Sequence, residues 1–187
     1  MGQVISGRIA HRKDLALAML RLNPSTLSIA FGQQLLVDAA HLKPTFETTL
    51  LPLISKRLLD PTLQRTNSGS IGLGSALSLF LASQKRDPKL IAEVGTYIGN
   101  SAAAMGCGTG LNGNAVQLIT CDMHPCTQQP FAGLQLPEGS KAQVVQGSST
   151  QMFEFLASKG AKLDMLHLDG RLMKEDLQLL GKLLKPD

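Results

Sequence analysis

The sequence contains few aromatic residues, few cysteines and no long apolar run. Its 187 residues include no Trp, one Tyr and six Phe, so clustered aromatic side chains on which nucleic-acid bases could stack are lacking. Three cysteines, an odd number, do not suit a disulfide scaffold and favour a reducing cytoplasmic location. No apolar stretch approaches the roughly 20 residues that span a bilayer, so we expect a soluble protein without a membrane partner.

The charge of the chain is only mildly positive. Eighteen Lys and Arg against fourteen Asp and Glu give a net charge of +4, and the basic residues are spread along the whole length. Because a nucleic-acid-binding face usually concentrates its basic residues, this balance argues little for an RNA or DNA partner. Hydrophobic residues make up 43% and charged residues 17%, which allows a sizeable core.

The first part of the chain has helical periodicity. Apolar residues recur at three and four positions before residue 88, which predicts helices over residues 14–22, 25–42, 45–59 and 73–85. In the third of these, Leu50 is predicted to face the core and Pro52 to kink the helix. The leucine-rich helices before residue 62 are predicted to form core or a dimer-forming surface, and a polar loop separates them from the fourth helix.

After Pro88 the pattern changes to alternating strands and helices. The predicted strands are residues 90–94, 116–121, 143–146 and 163–168, and the predicted helices are residues 101–105, 151–159 and 172–184. Strands separated by helices imply right-handed crossovers and a parallel sheet covered by helices. The sequence therefore predicts an α/β, Rossmann-like second part.

A glycine motif follows the first predicted strand. Residues 93–101 read Glu-Val-Gly-Thr-Tyr-Ile-Gly-Asn-Ser and open a helix. Gly95 allows the backbone to turn sharply, because it has no Cβ. Gly99 allows a ligand to approach the start of the helix, where unpaired N–H groups can face its carboxylate or phosphate. Asp122 ends the next strand, where an acid can accept both hydroxyls of a ribose. Ligands bind at the carboxyl ends of such strands, so we expect a nucleoside-containing ligand there.

Three other features have structural interpretations. Residues 108–113 match the dinucleotide fingerprint GxGxxG, but they follow a helix and lead into a strand, so residues 106–113 are predicted to be a connection. Cys121, His124 and Cys126 offer three soft ligands, whereas a zinc site normally has four. His167 lies inside an apolar strand and is predicted to be a core histidine with a hydrogen-bond partner.

Five segments in order resemble the class I S-adenosylmethionine-dependent methyltransferases, most closely the catechol O-methyltransferase-like branch. They are residues 70–72, 93–101, 119–122, 147–150 and 163–169. The resemblance covers roughly residues 70–187 and implies an S-adenosylmethionine-binding domain. It leaves residues 1–69 as a helical region that covers the acceptor site or mediates dimerisation.

The resemblance implies methyl transfer from S-adenosylmethionine to the hydroxyl of a small-molecule acceptor. Asp122 would bind the ribose, Met123 would pack on the adenine, and Asp169 would lie near the reacting centre. Lys174 is a second catalytic candidate, and Arg171 a candidate for acceptor binding. The implied cofactor-binding residues are Ile71, Gly72, Glu93, Gly95, Tyr97, Gly99, Ser101, Asp122, Met123, Ser149 and Asp169.

The sequence departs from this family's pattern at its end. Metal-dependent members carry further ligands, an Asp and an Asn, after a fifth strand, and this sequence stops at Asp187, where that strand should begin. Asp169 alone cannot hold Mg²⁺, so magnesium binding is an open alternative. The fourth strand would be an exposed edge unless another segment or subunit covers it. A non-catalytic cofactor-binding remnant and an RNA methyltransferase are the alternative functions.

Overall fold

A four-stranded parallel sheet forms the centre of the structure, a computed structural model that describes residues 45–53, 71–124, 131 and 133–185. The strands are β1 (Leu90–Val94), β2 (Gln117–Asp122), β3 (Lys141–Gln146) and β4 (Met165–Leu168), in the spatial order β3-β2-β1-β4. The predicted Rossmann-like sheet is confirmed. The helices predicted over 14–22 and 25–42 and the boundary after residue 69 lie outside the described residues.

Strand β1 lies where the strand order reverses. β2 and β3 continue to one side of it, and β4 pairs with it on the other. At its carboxyl end, Val94 is in register with Cys121 of β2 and Leu168 of β4. Because all four strands are parallel, the loops that follow β1, β2 and β4 meet at one edge of the sheet, which is where open α/β sheets bind ligands.

Helices cover both faces of the sheet. Helices α1 (Leu73–Arg86) and α2 (Asn100–Gly110) pack against each other on one face, and α3 (Ser149–Ser158) and α4 (Asp176–Leu183) pack together on the other. The first face buries Met105 against Ile91, and the second buries Phe153 against Ala92. Among the described residues, no helix combines the length and apolar character required to cross a membrane.

Helix α2 is longer than its glycine content predicts. It continues through residues 106–110, which were predicted to be a connection, and that part of the prediction is wrong. Gly108 allows the backbone of α2 to lie against α1, because a Cβ at this position would overlap the carbonyl oxygen of Phe80 and the hydroxyl of Ser83. This close packing offsets the poor helix propensity of glycine.

The segment before α1 adds a further apolar contact to the same face. Residues 45–53 are helical, with a π-helix at Phe46–Leu50. Leu50 is fully buried and belongs to the same apolar cluster as Phe80 and Ala103. The predicted helix and the predicted buried position of Leu50 are thus confirmed for these residues.

Strand β4 is an edge strand of the sheet formed by the described residues. Leu168 is 43% exposed, as expected for an edge. On the far side of β4, Leu163 and Leu184 form an isolated parallel bridge, and the N–H of Leu163 donates to the carbonyl of Leu183 at 2.8 Å. The residues after α4 therefore lie parallel to the start of β4.

Candidate active site

The loop between β1 and α2 is a tight turn with three residues of positive φ. These are Gly95 at 97°, Tyr97 at 46° and Gly99 at 79°. Tyr97 is a bulky residue in the left-handed region, which costs free energy unless the surroundings hold it there. The turn is held by Gly99, whose N–H donates to the carbonyl of Thr96 at 2.8 Å. Such strain is typical of loops that form binding sites.

Gly95 also allows the β1 and β4 loops to touch. A Cβ on this residue would lie 2.8 Å from the carbonyl carbon and oxygen of Asp169 and 2.9 Å from the nitrogen of Gly170. Any larger residue would therefore push the β4 loop away. The glycine is needed for the assembly of the site itself, so its substitution would disturb the fold as well as ligand binding.

Asp122 ends β2 and joins the loops around it. Its Oδ2 accepts the N–H of Tyr97 at 2.8 Å, and its Oδ1 accepts the N–H of His124 at 2.8 Å. Its carbonyl oxygen accepts the N–H of Gly147, which follows β3, at 2.9 Å. A carboxylate has about four acceptor positions, so each oxygen retains room for a hydroxyl donor.

A cleft of about 470 Å³ lies at the carboxyl ends of the strands. Six of the residues predicted to bind a cofactor line it: Gly95, Tyr97, Asp122, Met123, Ser149 and Asp169. A second, very small cavity of about 10 Å³ brings the predicted residues Ile71 and Ser101 next to Tyr97 and Asp169. The structure therefore places eight of the predicted residues around one site.

Four predicted residues do not line either cavity. Gly99 is the N-cap of α2, and Gly72 is the N-cap of α1, where its carbonyl accepts the N–H groups of Ser75 and Ala76. Lys174 is exposed in the turn before α4. Their roles in binding or catalysis stay predictions.

Glu93, the fourth, lies beneath the cleft and pairs with His167. Its side chain is fully buried, and its Oε1 lies 3.1 Å from Nδ1 of His167. Burial raises the pKa of Glu93, and the hydrogen bond and charge of His167 oppose this increase. For His167, burial lowers the pKa, but the hydrogen bond and charge of Glu93 and the charge of Asp169 outweigh it and raise the pKa above 6.5. His167 thus has the predicted hydrogen-bond partner, but 19% of its side chain is exposed, so it lies at the margin of the core and not within it.

The described residues do not form a metal site. Burial raises the pKa of Cys121 to about 12, so its thiol stays protonated and is a poor zinc ligand. Cys126 lies outside the described residues. Within the described ranges, no group of three or more His, Cys, Asp or Glu side chains could hold a metal ion. Asp169 is not a helix cap either, because the N-cap of α4 is Glu175.

The family of the chain is shown by its sequence. Residues 92–187, more than half of the chain, match the sequence model of the family described as methyltransferase domain. The chain belongs to this methyltransferase domain family. The matched residues include the glycine motif from Glu93 onward, Asp122 and Asp169, so they contain the cleft described above.

Two solved O-methyltransferases share the fold of this chain. One is TomG from Streptomyces achromogenes, which is involved in tomaymycin synthesis and was solved with S-adenosylmethionine. Its sequence is 18% identical to this chain and its TM-score is 0.52; the match covers 72% of this chain and 66% of TomG. The other is the O-methyltransferase from Bacillus cereus, which was solved with S-adenosylhomocysteine. Its sequence is 15% identical to this chain and its TM-score is 0.57; the match covers 74% of this chain and 62% of that protein. The chain thus covers less than two thirds of each. No curated protein sequence matches the chain.

Part of the cleft was not predicted from the sequence. Gly170 and Met173 line it, yet residues 172–184 were predicted to form a helix. Helix α4 begins at Asp176, so residues 169–175 remain a loop that folds over the ends of the strands. The glycine after Asp169 was the signal for this loop, because a glycine directly after a strand end favours a turn.

Proposed function

We propose that the chain binds S-adenosylmethionine in the cleft and transfers its methyl group to the hydroxyl oxygen of a small-molecule acceptor. The observation that carries this proposal is the carboxylate of Asp122. It ends β2, lines the cleft and is oriented by the N–H groups of Tyr97 and His124. An acid fixed in this way can accept two vicinal hydroxyls, which is what a ribose presents.

The nucleoside part of the cofactor would lie between Asp122 and the start of α3. Met123 is 72% exposed and offers a polarisable thioether for the adenine face. Ser149 also lines this cleft. That TomG and the Bacillus cereus enzyme were solved with S-adenosylmethionine and S-adenosylhomocysteine supports this choice of cofactor.

The methionine part would lie near Asp169. This carboxylate lines both cavities, together with Tyr97, and it can hold a positively charged group. When bound, S-adenosylmethionine supplies an electrophilic methyl group on a sulfonium. The task of the chain is to align the acceptor oxygen in line with that methyl, so positioning supplies most of the catalysis. Arg171 lines the cleft and Lys174 lies in the next turn, and we place the acceptor on this side.

The residues present do not fit a magnesium site. Mg²⁺ requires several oxygen ligands in a regular arrangement, and the described residues provide Asp169 without the further ligands of a metal cluster. No step of the proposed reaction therefore uses a metal. Cys107 and Cys121 are buried and do not form disulfides, which fits the reducing cytoplasm, where we place the protein.

Calorimetric titration of the purified chain with S-adenosylhomocysteine tests the proposal. We expect micromolar binding that magnesium does not change. The Asp122→Asn variant should bind about tenfold more weakly, because an amide NH₂ group, which only donates, replaces a carboxylate oxygen that accepts a ribose hydroxyl. Asp87→Asn is the matched control. Asp87 accepts the side-chain amides of Asn112 and Asn114 away from the cleft, so this variant should bind as the wild type does.

The outcomes separate the alternatives. Absence of binding by the folded wild type would overturn the proposal, and so would equal affinity of the wild type and Asp122→Asn. Methyl transfer is then measured with small phenols, alcohols and their amine analogues. Transfer to the hydroxyl compounds supports O-methylation, and transfer to the amines alone contradicts it. Binding without any transfer would favour the non-catalytic remnant.

A further inference from the structure

A buried carboxylate beside the cleft has no role in the function proposed above. Asp176 is the first residue of α4 and is fully buried. Its Oδ2 accepts the hydroxyl of Ser149 at 2.5 Å and the N–H of Met173 at 2.7 Å, and its Oδ1 accepts the hydroxyl of Thr150 at 2.6 Å. All three donors are uncharged. Burying a carboxylate is costly, and a set of short hydrogen bonds from fixed donors offsets this cost.

Two of these three donors, Ser149 and Met173, line the cleft on its two sides, and Thr150 follows Ser149 in the chain. Ser149 and Thr150 open α3 directly after Gly147 and Ser148, which line one wall. Met173 belongs to the loop after β4, residues 169–173, which forms the other wall. A further hydrogen bond of 3.3 Å runs from the hydroxyl of Ser149 to the carbonyl of Arg171. The network therefore joins the wall after β3 to the wall after β4.

The position of Asp176 also explains why this network can form. Its carboxylate accepts the N–H of Met173, three residues earlier in the loop that precedes α4. It also accepts hydrogen bonds from the Ser149 and Thr150 hydroxyls in the first turn of α3. The carboxylate therefore lies near the N-termini of both helices, whose dipoles favour a negative charge. Packing between α3 and α4 brings these two helix starts together.

We propose that Asp176 is a positioning residue that holds the two walls of the cleft at the spacing required for S-adenosylmethionine. This inference rests on the proposed function, because it assumes that the cleft binds that cofactor. Asp176 does not line the cleft. It acts through Ser149 and through the 169–173 loop, and it reduces the ordering cost of binding by keeping both walls in place before the cofactor arrives.

The test compares Asp176→Asn with Asp164→Asn in the full chain. Asp164 is a matched control, because its Oδ2 accepts the N–H groups of Lys89 and Leu90 at the opposite, amino ends of β1 and β4. Both variants lose structural hydrogen bonds and should melt at lower temperature. Only Asp176→Asn should also weaken the binding of S-adenosylhomocysteine, by about tenfold, at a temperature where both are folded.

Amide hydrogen exchange in the absence of ligand gives an independent readout. Asp176→Asn should speed up exchange in residues 147–151 and 169–175, whereas Asp164→Asn should speed it up near residue 90. If the wild type does not bind S-adenosylhomocysteine, the proposed function fails, and the exchange pattern still decides whether Asp176 joins the walls. Unchanged exchange in both segments would overturn the inference, as would equal losses of affinity in the two variants.

A milder pair of variants covers the case in which Asp176→Asn does not fold. Thr150→Val removes one donor to Asp176 while keeping the shape of the side chain, and Thr150→Ser keeps the hydroxyl. We expect Thr150→Val to weaken ligand binding several-fold and Thr150→Ser to bind as the wild type does. Equal affinities of the two variants would contradict the proposed role of Asp176.

Discussion

The pair formed by the buried Glu93 and the partly buried His167 makes the stability of the sheet depend on pH. Glu93 and Asp169 raise the pKa of His167 above its ordinary value of 6.5, against the opposing effect of burial. The folded state therefore binds this proton more tightly than the unfolded state does. The resulting stability is fully present below pH 6.5 and is lost as the pH rises through the raised pKa.

We predict that His167→Gln destabilises the chain more at about pH 6 than at about pH 9. The variant keeps a polar side chain beside Glu93 but cannot carry the proton. Denaturant unfolding of both proteins across this range measures the difference in free energy. His124→Gln is the control, since His124 is exposed and contacts Asp122 through its backbone N–H. A difference that is constant or grows with pH would contradict this account.

At individual residues, sequence reasoning succeeded where residue type and position along a strand carry the information. Asp122 was recognised because it is an acid at the end of the strand after the glycine motif, and Asp169 because its segment resembles the family's fourth strand; both line the cleft. The burial of Glu93 was not recognised, because it depends on His167, 74 residues away in the chain. Asp176 was missed for the same reason: two of its three hydrogen-bond partners are 26 and 27 residues distant, and a local pattern shows only an acid in a helix.

The close packing of α1 against α2 requires a glycine at position 108. We predict that Gly108→Ala destabilises the chain by about 2–3 kcal/mol, because the added methyl would be forced into the backbone of α1 at Phe80. Gly181→Ala in α4 should instead stabilise it by about 0.5–1 kcal/mol, since no heavy atom lies within 4 Å of the added methyl. Equal effects of the two substitutions in thermal unfolding would show that α1 and α2 are not so closely packed.

Elements were predicted best where most residues of a short segment are apolar. The first strand was predicted as residues 90–94 and is observed as Leu90–Val94. Helix α2 was predicted to end at residue 105 and ends at Gly110, since three glycines lower local helix propensity and the stabilising contact comes from α1. Helix α4 starts four residues later than predicted, because residues 169–175 form a loop in which the N–H of Met173 donates to the carboxylate of Asp176.

For the whole molecule, the cleft couples ligand binding to global stability. Its lining comes from the ends of β1 and β2 and from the loops after β3 and β4. We predict that S-adenosylhomocysteine at a hundredfold excess over its dissociation constant stabilises the chain by about 2.7 kcal/mol and raises the melting temperature by about 5–10 °C. A calorimetric scan measures this shift. A melting temperature that does not change with ligand concentration would contradict it.

The strand order has a consequence for how the molecule folds. Thr96 and Thr120, which tie the β1 loop to β2, are 24 residues apart, whereas Glu93 and His167, which tie β1 to β4, are 74 residues apart. Closing the longer loop costs more entropy, so β1, β2 and β3 can associate before β4 pairs with the other side of β1. In a nascent chain that side is an open edge at the centre of the future sheet. The cleft is then completed in the last step of folding.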